Sequence, residues 1–315
     1  MSFKTYEACE FSESKISSLK NGKKIFAVFS TFGERESDLI FDKISLLKNK
    51  LGHVIDRIIL SHRRSGTDED ATEKNALKAD PNADIFICNF SSVSDMGDEK
   101  GKGSDMRRAL YYINKKYAAG TDPENIVILF LDSDVSPDHF GEHFISGLAG
   151  AVLEGNDFAK AGFWREMGRV KKFVAQPLFS VIDHEKLNKL SDFAYPLSGE
   201  VAGTLNFFNR VSFWQMYGVE TGINIDACFG GYKIADVNLG LYDHEHHEDR
   251  NIQKIAFGVI RTYLLKLIEY GIIELKDNAA VSDLFKGSEI SRDGSRKEFE
   301  FDLKEKKYQP LINIL

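Results

Sequence analysis

The most informative stretch of this sequence is Ile126-Val127-Ile128-Leu129-Phe130-Leu131-Asp132-Ser133-Asp134. An unbroken apolar run between polar segments predicts a strand that is covered on both faces, as in a parallel sheet. Ligands of such sheets bind beyond the carboxyl ends of the strands. Asp132 and Asp134 follow the predicted strand directly, so we expect both carboxylates at the ligand-binding edge.

Strands and helices alternate on the N-terminal side of this stretch. The predicted strands are 24–30, 54–60 and 84–89, and the predicted helices are 39–47, 71–78 and 105–117. This alternation predicts an α/β fold with a mostly parallel, doubly wound sheet.

The second half of the chain has a less regular pattern. We expect a hairpin-like pair of strands at 160–164 and 170–175, because apolar and polar residues alternate there. A pocket-lining loop is predicted at 195–203, a helix at 219–229, a strand at 232–241 and a helix at 252–270. The apolar C-terminus, 310–315, is expected to dock on the body of the chain or on a partner subunit, so a homodimer is a further expectation.

Composition narrows the class of protein. The formal net charge of −7 argues against a general nucleic-acid binder, which would carry a basic field. Cys9, Cys88 and Cys228 are scattered and form neither a disulfide framework nor a C-x-x-C metal site, which favours a cytoplasmic setting. The N-terminus lacks a signal-peptide pattern, and no segment reaches the roughly 20 apolar residues of a membrane span.

The carboxylate pair Asp132 and Asp134 suits a hard divalent cation such as Mg²⁺ or Mn²⁺. Carboxylate oxygens hold such ions while leaving positions open for substrate phosphates. The alternative is a solvated turn at the end of the strand, since Asp and Ser are common turn residues.

Two further motifs are weaker. Lys100-Gly101-Lys102-Gly103 precedes a predicted helix and could cradle a phosphate, although it does not match a P-loop and could be a flexible basic turn. Asp243-His244-Glu245-His246-His247 could supply a metal ligand or could be polar surface.

Together and in this order, several segments resemble the glucosyl-3-phosphoglycerate synthase family of retaining glycosyltransferases. The motifs are Gly-Lys-Gly at 101–103, Leu-Asp-Ser-Asp at 131–134, Gly-Arg-Val at 168–170, Val-Ala-Gln-Pro-Leu at 174–178, Pro-Leu-Ser-Gly-Glu at 196–200, Tyr-Gly-Val-Glu at 217–220 and Val-Asn-Leu-Gly at 237–240. The resemblance covers the chain from about residue 24 to about residue 261. The mannosylglycerate synthases are more distant relatives that share the Gly-Lys-Gly and Asp-x-Asp parts.

The resemblance implies a GT-A nucleotide-sugar transferase fold with an acceptor-side subdomain and a C-terminal helical tail. It divides the chain into an N-terminal extension (1–23), a nucleotide-sugar-binding half (24–135), an acceptor and metal-binding half (136–250) and a C-terminal helix and tail (251–315).

The resemblance also assigns roles to residues. It implies that Asp134 and His244 bind the metal and that donor phosphates complete its coordination. It assigns donor binding to Glu34, Lys102, Asp132, Ser133, Leu197 and Glu220, of which Leu197 and Glu220 line the sugar site. It assigns catalysis to Glu220, Asp134 and Lys102, and acceptor binding to Gly168, Arg169, Lys171 and His246. The implied reaction moves glucose from a nucleoside-diphosphate glucose to 3-phosphoglycerate or a similar small acidic acceptor.

The sequence departs from the family pattern where the base and the acceptor would bind. The loops 30–34 and 61–68 differ from the usual runs, Lys171 stands where a small hydroxyl residue is usual, and His246 replaces an asparagine. UDP-glucose, GDP-glucose and GDP-mannose therefore all stay open as donors. The alternatives are a mannosyltransferase that uses GDP-mannose with glycerate or 3-phosphoglycerate, an inverting enzyme acting on a lipid phosphate, a nucleotidyltransferase, and a nucleotide-sugar-binding protein without turnover.

Overall fold

A computed structural model of the chain describes residues 3–164, 168–242 and 249–315, with the side chain of residue 249 excepted. Its strands are β1 (Phe3–Glu7), β2 (Lys24–Phe32), β3 (Arg57–Arg63), β4 (Asp84–Ile87), β5 (Ile126–Asp132), β6 (Phe158–Trp164), β7 (Val201–Thr204), β8 (Phe213–Trp214), β9 (Ile234–Leu241), β10 (Leu284–Ile290), β11 (Arg296–Asp302) and β12 (Lys307–Tyr308). Its α-helices are α1 (Glu13–Lys20), α2 (Ser37–Leu51), α3 (Ala71–Ala79), α4 (Lys102–Tyr117), α5 (Glu142–Leu153), α6 (Gln176–Ser180), α7 (Leu205–Arg210), α8 (Val219–Phe229) and α9 (Asp249–Glu269).

An eight-stranded sheet in the order β1-β9-β6-β7-β5-β2-β3-β4 forms the centre of the molecule. Its pairs are parallel except for those of β7, which is antiparallel to both β5 and β6. The mostly parallel sheet predicted from the sequence is therefore confirmed. The apolar residues of β5 are at most 2% exposed, as their uninterrupted pattern predicted.

The two faces of the sheet pack into separate cores because successive side chains of a strand point to opposite faces. Ile25, Ala27 and Phe29 of β2 pack with α2 and α5, whereas Phe26 and Val28 pack with α4, α8 and α9. Helices thus cover both faces, as in a doubly wound fold.

The carboxyl ends of β2, β3 and β5 meet at one edge of the sheet. Ser30 of β2 is in register with Asp132 of β5 on one side and with Ser61 of β3 on the other. This register brings the turn of residues 132–134 beside the loop that follows β2, where the sequence predicts the ligand site.

The N-terminal segment is part of the sheet. Phe3–Glu7 pairs in parallel with β9 and forms one edge, and Ile16 of α1 is fully buried. Residues 1–23, expected as an extension, therefore contribute a strand and a helix to the fold.

The expected hairpin at 160–164 and 170–175 is wrong in its second half. Residues 158–164 do form β6, but residues 171–175 form a π-helical turn that continues into α6. Both edges of β6 are already paired, with β7 and with β9, so no edge is left for a hairpin partner.

The C-terminal tail begins with α9 and ends in a short 3-10 helix, Leu311–Asn313. Between these helices, β10 and β11 form an antiparallel hairpin, and β12 pairs with β8. The apolar C-terminus docks on the body of its own chain, where Leu311 is fully buried; the homodimer stays a prediction. No helix in the described ranges is long and apolar enough to cross a lipid bilayer.

Candidate active site

A cleft of about 510 Å³ opens at the carboxyl ends of β2, β3 and β5. All three residues of the acidic turn line it: Asp132, Ser133 and Asp134. The other lining residues come from the ends of β2 and β3 and from the loop before α4: Ser30, Thr31, Phe32, Glu36, Arg63, Lys100, Gly101, Lys102 and Asp105. The structure thus brings the acidic turn and the Gly-Lys-Gly motif together, although they lie about thirty residues apart in the sequence.

Lys102 lies between two carboxylates. Its Nζ is 2.6 Å from Oδ1 of Asp132 and 3.3 Å from Oε1 of Glu220. Burial would lower the pKa of Lys102, but the negative charges of Asp132, Glu220 and the nearby Glu200 outweigh it and raise the pKa. The lysine is therefore a permanent cation beside the acidic turn.

A second cavity of about 280 Å³ adjoins the cleft through Lys102, which lines both. Its walls include Leu197 and Glu220, the two residues assigned to the sugar, together with Met216 and Tyr217. The charged cleft and this smaller, more apolar cavity share one ammonium group between them.

The glycines of the Lys-Gly-Lys-Gly motif allow close packing against the segment before α8. Gly101 has φ +135°, which favours glycine. A Cβ at Gly103 would overlap the carbonyl of Trp214, and the backbone N–H of Ser104 donates to the carbonyl of Gln215 at 3.2 Å. These contacts fix the start of α4, and with it Lys102, against the segment that leads to Glu220.

Lys43 of α2 supports the acidic turn from beneath. Its side chain is buried, and its Nζ donates to the carbonyl oxygens of Ser133 at 2.5 Å and Asp132 at 3.4 Å. The hydroxyl of Ser133 donates to the carbonyl oxygen of Ser30 at 2.8 Å, so the Ser133 side chain also anchors the turn to β2. Burial lowers the pKa of Lys43 to about 8, against the attraction of Asp134.

Glu200 is a buried carboxyl group next to the Lys102 site. Its Oε1 accepts a hydrogen bond from the hydroxyl of Tyr242 at 3.1 Å, and its Oε2 accepts one from the hydroxyl of Ser198 at 3.0 Å. Burial, reinforced by the negative charge of Asp132, raises the pKa of Glu200 to about 7. The group therefore responds to pH near neutrality.

Sequence reasoning gave no role to Lys43 or Glu200, although signals for both were present. Lys43 lies on the apolar face of α2, with Ile40, Ile44 and Leu47. A lysine on a buried helical face needs partners for its charge. Glu200 ends the quoted Pro-Leu-Ser-Gly-Glu motif and directly precedes a buried strand, which is an unusual place for a carboxylate.

Glu34 is not among the residues that line the cleft. Its Oε1 accepts a hydrogen bond of 3.0 Å from the backbone N–H of Ala71 at the start of α3. Glu36, two residues later, does line the cleft, and burial together with the negative charge of Asp134 raises its pKa. Donor binding by Glu34 stays a prediction.

The metal site is only partly within the described residues. Asp134 lines the cleft, whereas His244, its expected partner, and His246, expected at the acceptor, lie outside them. Within the described ranges, His62, Asp70 and Glu73 also form a cluster with metal-ligand geometry. Arg64 donates to both oxygens of Glu73 at 2.6 Å, and Asp70 caps α3, so these groups are used by the fold itself.

Three of the expected acceptor residues are described, and Gly168, Arg169 and Lys171 follow the end of β6. Gly168 has φ +123°, and Nζ of Lys171 is 4.8 Å from the centre of the Tyr195 ring. That ring stacks on Phe163, which stacks on Tyr242. Lys171 and Arg169 are half-buried, and burial lowers the pKa of Lys171. The aromatic neighbours of Lys171 connect it to Tyr242, which precedes the segment that contains His244.

Known structures have the same architecture. Mannosyl-3-phosphoglycerate synthase from Rubrobacter xylanophilus superposes with a TM-score of 0.81 over 99% of this chain and 96% of its own, at 25% identity. Glucosyl-3-phosphoglycerate synthase from Mycobacterium tuberculosis, solved with Mn²⁺, UDP and phosphoglyceric acid, superposes at 0.73 over 97% and 96%, at 23% identity. The fold is therefore that of the GT-A class of glycosyltransferases.

Two relatives with similar sequences are enzymes of the same name. Glucosyl-3-phosphoglycerate synthase from Petrotoga mobilis is 29% identical over 276 residues, which cover 81% of this chain and 77% of the relative. The enzyme of that name from Mycolicibacterium smegmatis is 28% identical over 262 residues, covering 78% of each. No family model matches the chain. The chain is a homologue of the glucosyl-3-phosphoglycerate synthases, so the resemblance found in its motifs is confirmed.

Proposed function

We propose that this protein is a retaining, metal-dependent glycosyltransferase that moves glucose from a nucleoside-diphosphate glucose to 3-phosphoglycerate or a similar small acidic acceptor. The observation that carries the proposal is the position of Lys102. Its ammonium group pairs with Asp132 of the acidic turn and with Glu220 of the smaller cavity. One cation thus lies between the expected places of the donor diphosphate and of its sugar.

The two cavities suit the two parts of a nucleotide sugar. The cleft supplies an exposed aromatic ring, Phe32, and polar groups at the strand ends, where α/β folds bind nucleotides. The smaller cavity combines the apolar side chain of Leu197 with the carboxylate of Glu220. Carboxylates accept hydrogen bonds from hydroxyl groups such as those of a hexose.

A divalent cation fits the donor set of the cleft. Asp134 and Glu36 both line it and offer hard carboxylate oxygens, the ligands that Mg²⁺ and Mn²⁺ prefer. We expect Asp134 to hold the ion together with His244. The bound ion would neutralise charge on the diphosphate.

The residues of the chain act on the bond that breaks. In the transfer, the bond between the anomeric carbon and the β-phosphate oxygen breaks, and a bond to the acceptor hydroxyl oxygen forms. Negative charge grows on the departing diphosphate, where Lys102 stabilises it more strongly in the transition state than in the ground state. The hydroxyl proton of the acceptor passes to the departing phosphate in a front-face reaction that retains configuration.

Glu220 is the alternative nucleophile for a two-step retaining reaction. Its pairing with Lys102 at 3.3 Å suits a carboxylate that binds sugar hydroxyls. Glu220→Gln separates the two mechanisms. Near-complete loss of transfer in this variant, together with a glycosyl adduct on Glu220 in protein that keeps this residue, seen by mass spectrometry with donor alone, would contradict the front-face reaction.

The acceptor is expected at Gly168, Arg169, Lys171 and His246. Arg169 and Lys171 provide two cations on one turn, which suits a phosphate or a carboxylate. A cytoplasmic location goes with this proposal, since Cys9, Cys88 and Cys228 are all free thiols.

A mannosyltransferase is the second candidate. The solved mannosyl-3-phosphoglycerate synthase has a TM-score of 0.81, against 0.73 for the glucosyl enzyme with UDP. Because the loops at 30–34 and 61–68 depart from the family pattern, GDP-mannose belongs among the donors tested.

A matrix of donors and acceptors tests the proposal. UDP-glucose, GDP-glucose and GDP-mannose are each incubated with 3-phosphoglycerate, glycerate or no acceptor, with Mg²⁺, with Mn²⁺ or with EDTA, and the products are identified by mass spectrometry. We expect a glucosylated 3-phosphoglycerate and a free nucleoside diphosphate, formed only with metal. Release of pyrophosphate would indicate a nucleotidyltransferase, and donor binding without product would indicate a binding protein.

A further inference from the structure

The C-terminal tail reaches the smaller cavity through one buried carboxylate. Glu305, between β11 and β12, is 6% exposed. Its Oε2 accepts hydrogen bonds from the backbone N–H groups of Met216 and Gly218, both at 3.1 Å, and its Oε1 accepts one from Tyr217 at 3.0 Å. Three consecutive backbone donors thus converge on a single side chain that lies about ninety residues later.

These donors form the entry to α8, the helix that carries Glu220. The residue before the helix, Gly218, has no side chain that could cap it. Glu305 instead accepts from the N–H of Gly218 and from those of the two residues before it, and its negative charge lies near the positive end of the helix dipole. Burial raises the pKa of Glu305, while the three N–H groups oppose that shift.

The segment held by Glu305 is a wall of the cavity assigned to the sugar. Met216 and Tyr217 line that cavity, and Glu220 follows in the first turn of α8. The tail residues that follow Glu305 also contact the segment before α8 and the start of α4. The backbone N–H of Gln215 donates to the carbonyl of Lys306 at 2.9 Å, and the hydroxyl groups of Tyr308 and Ser104 are 2.9 Å apart.

We propose that Glu305 is a positioning residue for the sugar of the donor, which rests on the proposed function of the two cavities. It is not among the residues that line either cavity. It holds the backbone of 216–218 so that Tyr217 and Glu220 face the cavity that contains Lys102. Apart from the shared Lys102, the nucleotide cleft is lined by other segments, so loss of Glu305 should weaken recognition of the sugar more than recognition of the nucleotide.

The experiment compares Glu305→Gln with Glu298→Gln. Glu298 is on β11 of the same tail, and its side chain is 80% exposed, which makes it a matched control. Dissociation constants for UDP-glucose and for UDP are measured by calorimetry with Mn²⁺ present, together with kcat and KM. If the activity matrix selects another donor, that donor and its nucleoside diphosphate are used instead.

The amide that Glu305→Gln introduces would place an N–H₂ group against backbone donors, so we expect the ratio of the Kd for UDP-glucose to the Kd for UDP to rise about tenfold. The Glu298→Gln variant should keep the wild-type ratio. An unchanged ratio in Glu305→Gln, or an equal loss of affinity for both ligands, would overturn the positioning role. A wild-type protein that transfers no sugar and binds neither ligand would instead overturn the proposed function.

Glu305→Asp covers the case in which the glutamine variant does not fold. It keeps the charge but shortens the side chain by one methylene, so it can satisfy only some of the three donors. We expect its ligand ratio to lie between those of wild type and Glu305→Gln, or above that of wild type if it is the only variant that folds. A wild-type ratio in a folded Glu305→Asp protein, with a lowered unfolding temperature, would assign Glu305 to stability alone.

Discussion

Nζ of Lys102 lies 2.6 Å from Oδ1 of Asp132, and this ion pair joins the start of α4 to the end of β5. The two side chains are 31% and 25% exposed, so the pair faces the cleft. A diphosphate that entered the cleft could exchange with Asp132 as a partner of the ammonium group. The pair therefore keeps the lysine charged and oriented before the donor arrives.

Replacing Lys102 with methionine should abolish most of the transfer activity. Methionine keeps much of the length of the side chain but provides no positive charge for the departing diphosphate. We expect kcat/KM to fall by about two to three orders of magnitude, as for the loss of one group that stabilises a transition-state charge. Steady-state assays with the donor and acceptor selected by the matrix measure the effect.

Lys115→Met is the matched control for this variant. Lys115 is on the same helix, but it is exposed and lies over the ring of Tyr111. Its activity should equal that of wild type. Comparable activity in both variants would show that Lys102 has no part in the chemistry.

Replacing Gly199 with alanine should disturb the site without adding or removing a charge. A Cβ at this position would overlap Nζ of Lys102 and the carboxylate of Asp132. Because these are the ends of side chains, they can move apart, at the cost of their pairing. We expect lower kcat with an unfolding temperature close to that of wild type.

Gly231→Ala makes a useful comparison for backbone effects. Gly231 has φ +73° and no atom near its would-be Cβ, so alanine there costs conformational energy but touches no functional group. It should lower the unfolding temperature and leave kcat unchanged. A wild-type kcat in Gly199→Ala, with a lowered kcat in Gly231→Ala, would contradict the assignment of Gly199 to the site.

Much of the central fold could be predicted from periodicity. The apolar run of β5 and the strand-helix alternation before it determine a parallel arrangement with ligands at one edge, and α3 and α8 begin at the predicted residues. The parts that were missed depend on distant partners. Residues 170–175 alternate like a strand, but both edges of β6 are occupied, so they form helical turns instead.

The sequence brought the motif residues to the same edge of the sheet, while their roles in binding and catalysis stay predictions. Asp132, Ser133, Asp134 and Lys102 do meet in one cleft, and Leu197 and Glu220 do share a cavity. Lys43, Glu200 and Glu305 act through backbone atoms or buried neighbours that only the folded chain brings within reach. A lysine on the apolar face of α2 and a carboxylate before a buried strand do signal that Lys43 and Glu200 need partners, but most of those partners are tens of residues away, so the local pattern does not identify them.

Replacing Lys171 with alanine should weaken binding of the acceptor and spare the donor. Lys171 is half-buried beside Tyr195, and its ammonium group is one of the two cations expected to hold a phosphate. We expect KM for 3-phosphoglycerate to rise about tenfold, which is the scale of one charge-assisted contact, with KM for the donor unchanged. Lys172→Ala, at the exposed neighbouring residue, should behave like wild type. A rise in the KM of the donor instead would place Lys171 at the other substrate.

Replacing Glu200 with glutamine should change how stability depends on pH. Burial raises the pKa of Glu200 from 4.5 to about 7, so between these values the folded protein binds a proton that the unfolded chain releases. The stability that comes from this proton is fully present below the unfolded pKa and is lost as pH rises through the folded pKa. Glutamine is neutral at every pH, and the hydroxyl of Ser198 can rotate to accept from its amide. The unfolding temperature of Glu200→Gln relative to wild type should therefore rise between about pH 5.5 and about pH 8.5.

Differential scanning fluorimetry of both proteins, with Glu298→Gln as the exposed control, measures this difference. If the difference in unfolding temperature between Glu200→Gln and wild type is the same at both pH values, Glu200 is ionised over this whole pH range. Lys102 would then compensate its charge in the buried site.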